Sequence, residues 1–229
     1  MPASAATKSQ QVEAIYDQRF KAHITYRKQV WEVLVSQFFA RYIPADATVL
    51  DLGCGYGEFI NHVRAARKYG MDLNARARQF LSKDVSFFEQ DCSLTWPFED
   101  NRLDVVFTSN FFEHLLSKQA LSATLMQALR CLKPGGRLIA MGPNIRFIGG
   151  AYWDFWDHHL PLNDHSMAEA LQLEGFEIER MVDRFLPYTM VNRRATPTTL
   201  VSLYLRFPLA WKLLGKQFLV LARKPAPSQ

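Results

Sequence analysis

The chain has 229 residues, 48% of them hydrophobic and 21% charged, with a formal net charge of +5. That length suits one core, since single α/β domains run to ~200–250 residues. No charge-free apolar run reaches the ~18 residues that span a bilayer, and no basic segment followed by an apolar one marks a signal peptide, so a cytoplasmic location is expected.

Apolar side chains first fall at helical spacing at Val12, Ile15 and Tyr16, then at Val30, Leu34, Phe38 and Phe39. One or two helices should therefore follow a mobile Met1 to Ser9, with Trp31, Leu34 and Phe38 packed on a sheet. Residues 47 to 57, Ala-Thr-Val-Leu-Asp-Leu-Gly-Cys-Gly-Tyr-Gly, run from an apolar segment into an acid and three glycines on alternate positions. Val49, Leu50 and Leu52 suit a buried parallel strand, while Gly53, Gly55 and Gly57 suit a chain that turns sharply against a ligand. The amphipathic stretch from Glu58 to Arg67 reads as the next helix, its positive end beside the loop.

Such loops also hold nicotinamide dinucleotides, whose fingerprint is G-x-G-x-x-G. Here position 58 is Glu, the third glycine comes one residue early, and Asp51 directly precedes the loop, which disfavours an oxidoreductase. Lys68 to Leu73 is a short second strand ending at Asp72, a carboxylate able to accept from two ribose hydroxyls. It follows Gly53 by 19 residues, close to the ~20 expected of a β-α-β unit, which rejects a chance glycine cluster. A third strand, Val85 to Gln90, ends at Asp91-Cys92, and a fourth begins near Asn101 and leads into the loop Asn110-Phe111-Phe112-Glu113-His114-Leu115. A helix from about Ser117 to Cys131 and the Leu132-Lys133-Pro134-Gly135-Gly136 turn lead into a fifth strand.

Asp-Leu-Gly-Cys-Gly-Tyr-Gly at 51–57 resembles the first motif of class I S-adenosylmethionine-dependent methyltransferases of the type 11-like kind. The later matches follow that family's order over residues 47 to 141. The resemblance implies an α/β, Rossmann-like seven-stranded, mostly parallel sheet with helices on both faces and an antiparallel C-terminal strand. It also implies S-adenosylmethionine as cofactor, held by Asp51, Gly53, Cys54, Gly55, Tyr56, Gly57, Asp72, Leu73, Asp91, Cys92 and Asn110. Asp91 is assigned toward the adenine edge by resemblance alone. Helices in residues 1–46, with Tyr16, Arg19, Phe20 and Tyr26, would cover the cofactor as a lid, and residues 142–229 would serve the substrate.

Residues 149 to 165 interleave Tyr152, Trp153, Phe155 and Trp156 with Asp154, Asp157, His158, His159, Asp164 and His165, suiting a pocket for a partly apolar acceptor. His158, His159, Asp164 and His165 match no familiar metal-ligand spacing, so no metal is expected. Cys54, Cys92 and Cys131 are an odd number without C-x-x-C spacing, which argues against disulfides and structural zinc. Ser166 and Glu169 have capping-box spacing, and Gly175 marks the end of the helix that follows. In-line methyl transfer to oxygen or nitrogen needs orientation first, which is worth ~7–11 kcal/mol. If a hydroxyl acceptor needs a base, the candidates are His114, His158, His159 and His165.

From Arg184 to Gln229 there is no Asp or Glu, and eight basic residues give this part +8, which leaves −3 for residues 1–183. Strands near Phe176 to Phe185 and Gln217 to Arg223 should close the sheet around an insertion, Leu186 to Lys216. Its aliphatic, aromatic and basic residues describe an amphipathic segment, broken at Pro208, that could rest on an anionic membrane surface. The alternative is a lid or dimer contact with solvated basic residues. The acceptor is thus expected to be a small molecule, a sugar or a lipid-linked compound. No nucleic-acid partner is expected, and a cofactor-binding protein without catalysis is the rival function.

Overall fold

The computed structural model describes residues 24–188 and 196–226. Val12, Ile15, Tyr16, Arg19 and Phe20 lie outside them. Seven strands, β1 (Thr48–Leu52), β2 (Arg67–Asp72), β3 (Val85–Glu89), β4 (Leu103–Ser109), β5 (Leu132–Pro143), β6 (Glu177–Val182) and β7 (Gln217–Arg223), form one sheet in the order β3-β2-β1-β4-β5-β7-β6. All neighbours pair in parallel except β7, which runs antiparallel to β5 and β6. This is the Rossmann-like arrangement expected from the motifs. The helices are α1 (Ile24–Gln37), α2 (Lys118–Cys131), α3 (Ile145–Ile148), α4 (Asp164–Leu173), α5 (Thr198–Arg206) and α6 (Pro208–Leu214).

Period-two alternation splits the interior into two cores. Leu50, Leu52, Val106, Leu138, Ala140, Val220 and Ala222 face one side, against Leu121 and Leu125 of α2 and Met167 and Leu171 of α4. Val49, Val105, Phe107, Ile139, Met141, Leu219 and Leu221 face the other, against Leu34 and Val35 of α1, Leu205 of α5 and Trp211 of α6. Both faces are apolar because both are covered by helices. Trp31 lies edge-on to Phe107 at 5.9 Å, and Leu34 and Phe38 are buried, so these three pack on the sheet as anticipated.

Two local expectations are corrected. Residues 58–62 form turns and 63–66 irregular chain leading into β2, with bonds such as Asn61 N–H to Gly57 O (3.0 Å) and Val63 N–H to Phe59 O (3.2 Å), rather than one helix. The His62 imidazole is 2.7 Å from the Glu58 carbonyl that a helical ladder would use, and the Asn61 side chain donates to Phe80 O and accepts from Ser82 N–H. Such side-chain bonds compete with the ladder. Helix α4 starts earlier than its predicted cap, because Asn163 is the N-cap and Ser166 its reciprocal partner, so Glu169 has no part in the box. Asn is as effective a cap as Ser.

Candidate active site

β1 is flanked by β2 and β4, whose connections leave in opposite directions, so the carboxyl end of β1 is a topological switch point where α/β sheets take ligands. There the chain enters the glycine loop, with Gly53, Gly55 and Gly57 all at positive φ, between 46° and 70°. The three serve different neighbours. A Cβ on Gly53 would lie 2.3 Å from the Phe111 ring, and one on Gly57 would lie 2.7 Å from Asn61 and Leu81, whereas one on Gly55 meets nothing within 4 Å. Gly53 and Gly57 therefore permit close packing, and Gly55 borders the open space.

Asp72 ties this loop to the end of β2. One carboxylate oxygen accepts from Gly55 N–H and the other from Asn74 N–H, both at 2.9 Å. Burial raises its pKa, and these amides oppose the rise. Asp51 is buried, and its pKa is held well above the usual carboxylate range by burial, then by the charge of Glu58, with a smaller push from Asp72. Glu58 pairs with Arg27 at 2.7 Å. Glu58 is thus already neutralised by Arg27, and the carboxyl groups of Asp51 and Asp72 are what give the loop its acidic border.

The other residues expected from the resemblance to hold the cofactor follow the ends of the same strands. Tyr56 and Cys54 are buried, and burial pushes the Cys54 thiol far up. Leu73 is exposed. Asp91 folds back on Ser93, accepting from its N–H at 2.8 Å and its hydroxyl at 2.7 Å, and the buried Cys92 thiol is pushed up to about 11. Asn110 takes a left-handed conformation with φ 50° just past β4.

A second group gathers beyond β4. The donor atoms of Glu113, His114 and His158 lie within 4.8 Å of one another, close enough to hold a cation among them. His159, Asp164 and His165 contribute no atom to this group. His114 Nδ1 lies 3.0 Å from the Asp157 carbonyl and 3.1 Å from its carboxylate, so Nδ1 is the nitrogen engaged by Asp157. His158 Nδ1 lies 2.8 Å from the Tyr152 carbonyl, and its ring stacks on Phe155. Burial works against the His114 cation, but the Asp157 hydrogen bond and the Glu113 charge carry its pKa up to about 8. The His114 hydrogen bond holds Asp157 down at about 2. Burial raises Glu113 to about 7 and, with the neighbouring His114 charge, lowers His158 to about 4. The Phe111 ring lies against Gly53, and Glu113 and His114 follow it in the next turn, so this cluster stands beside the glycine loop.

His159 is exposed, and its backbone N–H donates to Glu113 O at 2.7 Å. His165 is also exposed and lies 3.5 Å from Asp164. Glu113 was not among the residues assigned from sequence, and Asp157 was read only as part of the acceptor-pocket loop, without a role at His114. The signals available were an acid directly before His114 after a strand end, and an acid directly before His158.

Glycine loop, strand-end acid and switch point together define a nucleoside-cofactor transferase of the class I type. The methyltransferase-domain family model matches residues 23–181, so the chain belongs to that family. The demethylmenaquinone methyltransferase of Symbiobacterium thermophilum is 28% identical over 191 residues, covering 74% of each chain. The 2-methyl-6-phytyl-1,4-hydroquinone methyltransferase of Synechocystis is 29% identical over 147 residues, 58% of this chain and 45% of that one. A solved S-adenosylmethionine-dependent methyltransferase of Archaeoglobus fulgidus shares the fold with a TM-score of 0.63 at 18% identity, covering 90% of this chain and 99% of its own. The protein is an S-adenosylmethionine-dependent methyltransferase. The open face of Gly55, the Asp72 carboxylate and the acidic surroundings fit a sulfonium nucleoside.

Proposed function

We propose that the enzyme methylates a hydroxyl oxygen of a small-molecule, sugar or lipid-linked acceptor, with His114 taking the acceptor's proton. The observation that carries this is the Asp157–His114 pair with buried Glu113, next to the glycine loop. When bound, the cofactor supplies an electrophilic methyl group. Asp72 would hold its ribose, and the Gly53–Gly57 loop would let its backbone approach closely. Asp157 fixes the His114 ring through Nδ1, so that the neutral form presents the Nε2 lone pair and the protonated form is stabilised after proton transfer. A positioned base of this kind contributes ~10²–10⁴-fold in rate.

An apolar acceptor is supported by the exposed Trp153 and Trp156 in the loop that carries Asp157 and His158. The names of two relatives, which specify quinone-class acceptors and in one case a phytyl chain, point the same way. A lipid-linked acceptor would bring the enzyme to a membrane surface as a peripheral protein. Incubation with methyl-labelled cofactor and fractionated cell extract, followed by identification of the product, tests the assignment. An O-methylated apolar product is expected; label found only on nitrogen would remove the proton-accepting role of His114.

A further inference from the structure

Away from the cofactor cleft, a recess of about 500 Å³ opens where the end of α1, the outer strand β6 and the α5–α6 hairpin meet. Three guanidinium groups line it: Arg41, Arg180 and Arg206, with Gln37 and Trp211. Two are held in place by neutral groups. Arg41 donates to Phe38 O at 3.0 Å and Gln37 O at 2.9 Å, while Arg180 donates to the Tyr42 hydroxyl at 2.5 Å and lies 5.8 Å from the Trp211 ring. Arg206 is exposed, and its side chain makes no hydrogen bond or ion pair among the described residues. None of the three meets a carboxylate among those residues, and the chain from Arg184 onward contains no acid. Such a concentration of unneutralised planar donors matches phosphate oxygens.

The hairpin beside the recess is apolar on its outer surface. Leu205 and Trp211 are buried, whereas Leu200, Leu203, Phe207, Leu209, Leu213 and Leu214 are exposed, Leu209 and Leu213 each by 76%. Their spacing places Leu200, Leu203 and Phe207 along α5 and its end, and Leu209 and Leu213 one turn apart on α6. Arg206, Lys212 and Lys216 interleave with them. No helix among the described residues is long and apolar enough to cross a membrane. Exposed leucines beside unpaired arginines are the composition of an element lying in a lipid interface, where apolar insertion and attraction to anionic headgroups act together.

We propose that the α5–α6 hairpin docks on an anionic lipid surface, its leucines and Phe207 entering the interface while the Arg41–Arg180–Arg206 recess receives a headgroup phosphate. This deepens the peripheral location named above and is independent of the atom methylated. Flotation of the full chain with vesicles of phosphatidylcholine alone, or of phosphatidylcholine with phosphatidylglycerol, tests it. Recovery with the anionic vesicles only is expected. Arg206→Gln should weaken partitioning roughly fivefold and the double variant Leu209→Ser/Leu213→Ser by more than about tenfold, both at exposed positions, with unchanged melting temperature and unchanged calorimetric affinity for S-adenosylmethionine. Equal recovery in the soluble fraction overturns the proposal. So does binding of glycerol phosphate at the recess without flotation, which would mean a soluble phosphorylated ligand, or a dimer through the same leucines that ignores vesicles. Cofactor affinity and turnover, measured on the same variants, report separately on the methyl-transfer assignment.

Discussion

Gly53 and Gly55 stand two residues apart in the same left-handed conformation, yet they do different things. Alanine at 53 drives a Cβ into the Phe111 ring as well as straining the backbone, and should cost about 2–4 kcal/mol of stability in urea unfolding. Alanine at 55 meets open space and should cost only about 1 kcal/mol, because the strain acts alone. Its methyl would project into the space left for the cofactor, so calorimetric affinity for S-adenosylmethionine should fall more than stability does. His114 makes a pH prediction. With a pKa of about 8 the imidazole is mostly cationic at neutral pH, and a base must be neutral, so turnover at saturating cofactor should rise as pH increases through about 8. In Asp157→Asn the hydrogen-bonding carboxylate is gone, so the rising limb should move to lower pH and its plateau should drop. A limb that stays at about 8 would assign the titration to another group.

The elements that matched their sequence patterns are those whose signals are local and mutually consistent. Helix α2 is capped by Ser117, whose side chain accepts from Ala120 N–H at 3.1 Å, and it runs to Cys131. Pro208 sits at the first turn of α6 and separates it from α5, as its missing N–H requires. Residues 58–67 show the opposite case, since Asn61 and His62 spend their side chains on bonds that only the fold supplies. The start of α4 rests on one reciprocal pair, so Asn163→Ala should remove about 1 kcal/mol. In a chain of this size the loss lowers the melting temperature by about 2–4 °C.

At the scale of the molecule, the two faces of the sheet are used differently. The face holding α1, α5 and α6 is joined by aromatic contacts centred on Phe107, which stacks on Phe59 at 3.6 Å and meets Phe39 at 5.1 Å. Phe107→Ala should cost about 3–5 kcal/mol, read by denaturant unfolding, because none of these fully packed rings can move into the space. The local charge asymmetry also takes shape here. The acidic loop lies at the β1–β4 switch point, and the arginine recess lies beyond β6 at the sheet edge, so a cationic cofactor and an anionic surface can be engaged at separate places.

The strands, the glycine loop and Asp72 were legible in the chain because each depends on near neighbours: alternating apolar residues, left-handed backbone positions, and a carboxylate at a fixed offset within one β-α-β unit. The Glu113–His114–Asp157–His158 cluster and the arginine recess were not, since their members are separated by tens of residues and meet only when β4 and the loop after β5, or α1, β6 and α5, are brought together. Sequence fixes which groups are available along the chain, whereas proximity, burial and the pKa shifts that follow from them arise only when distant segments exclude water from the same space.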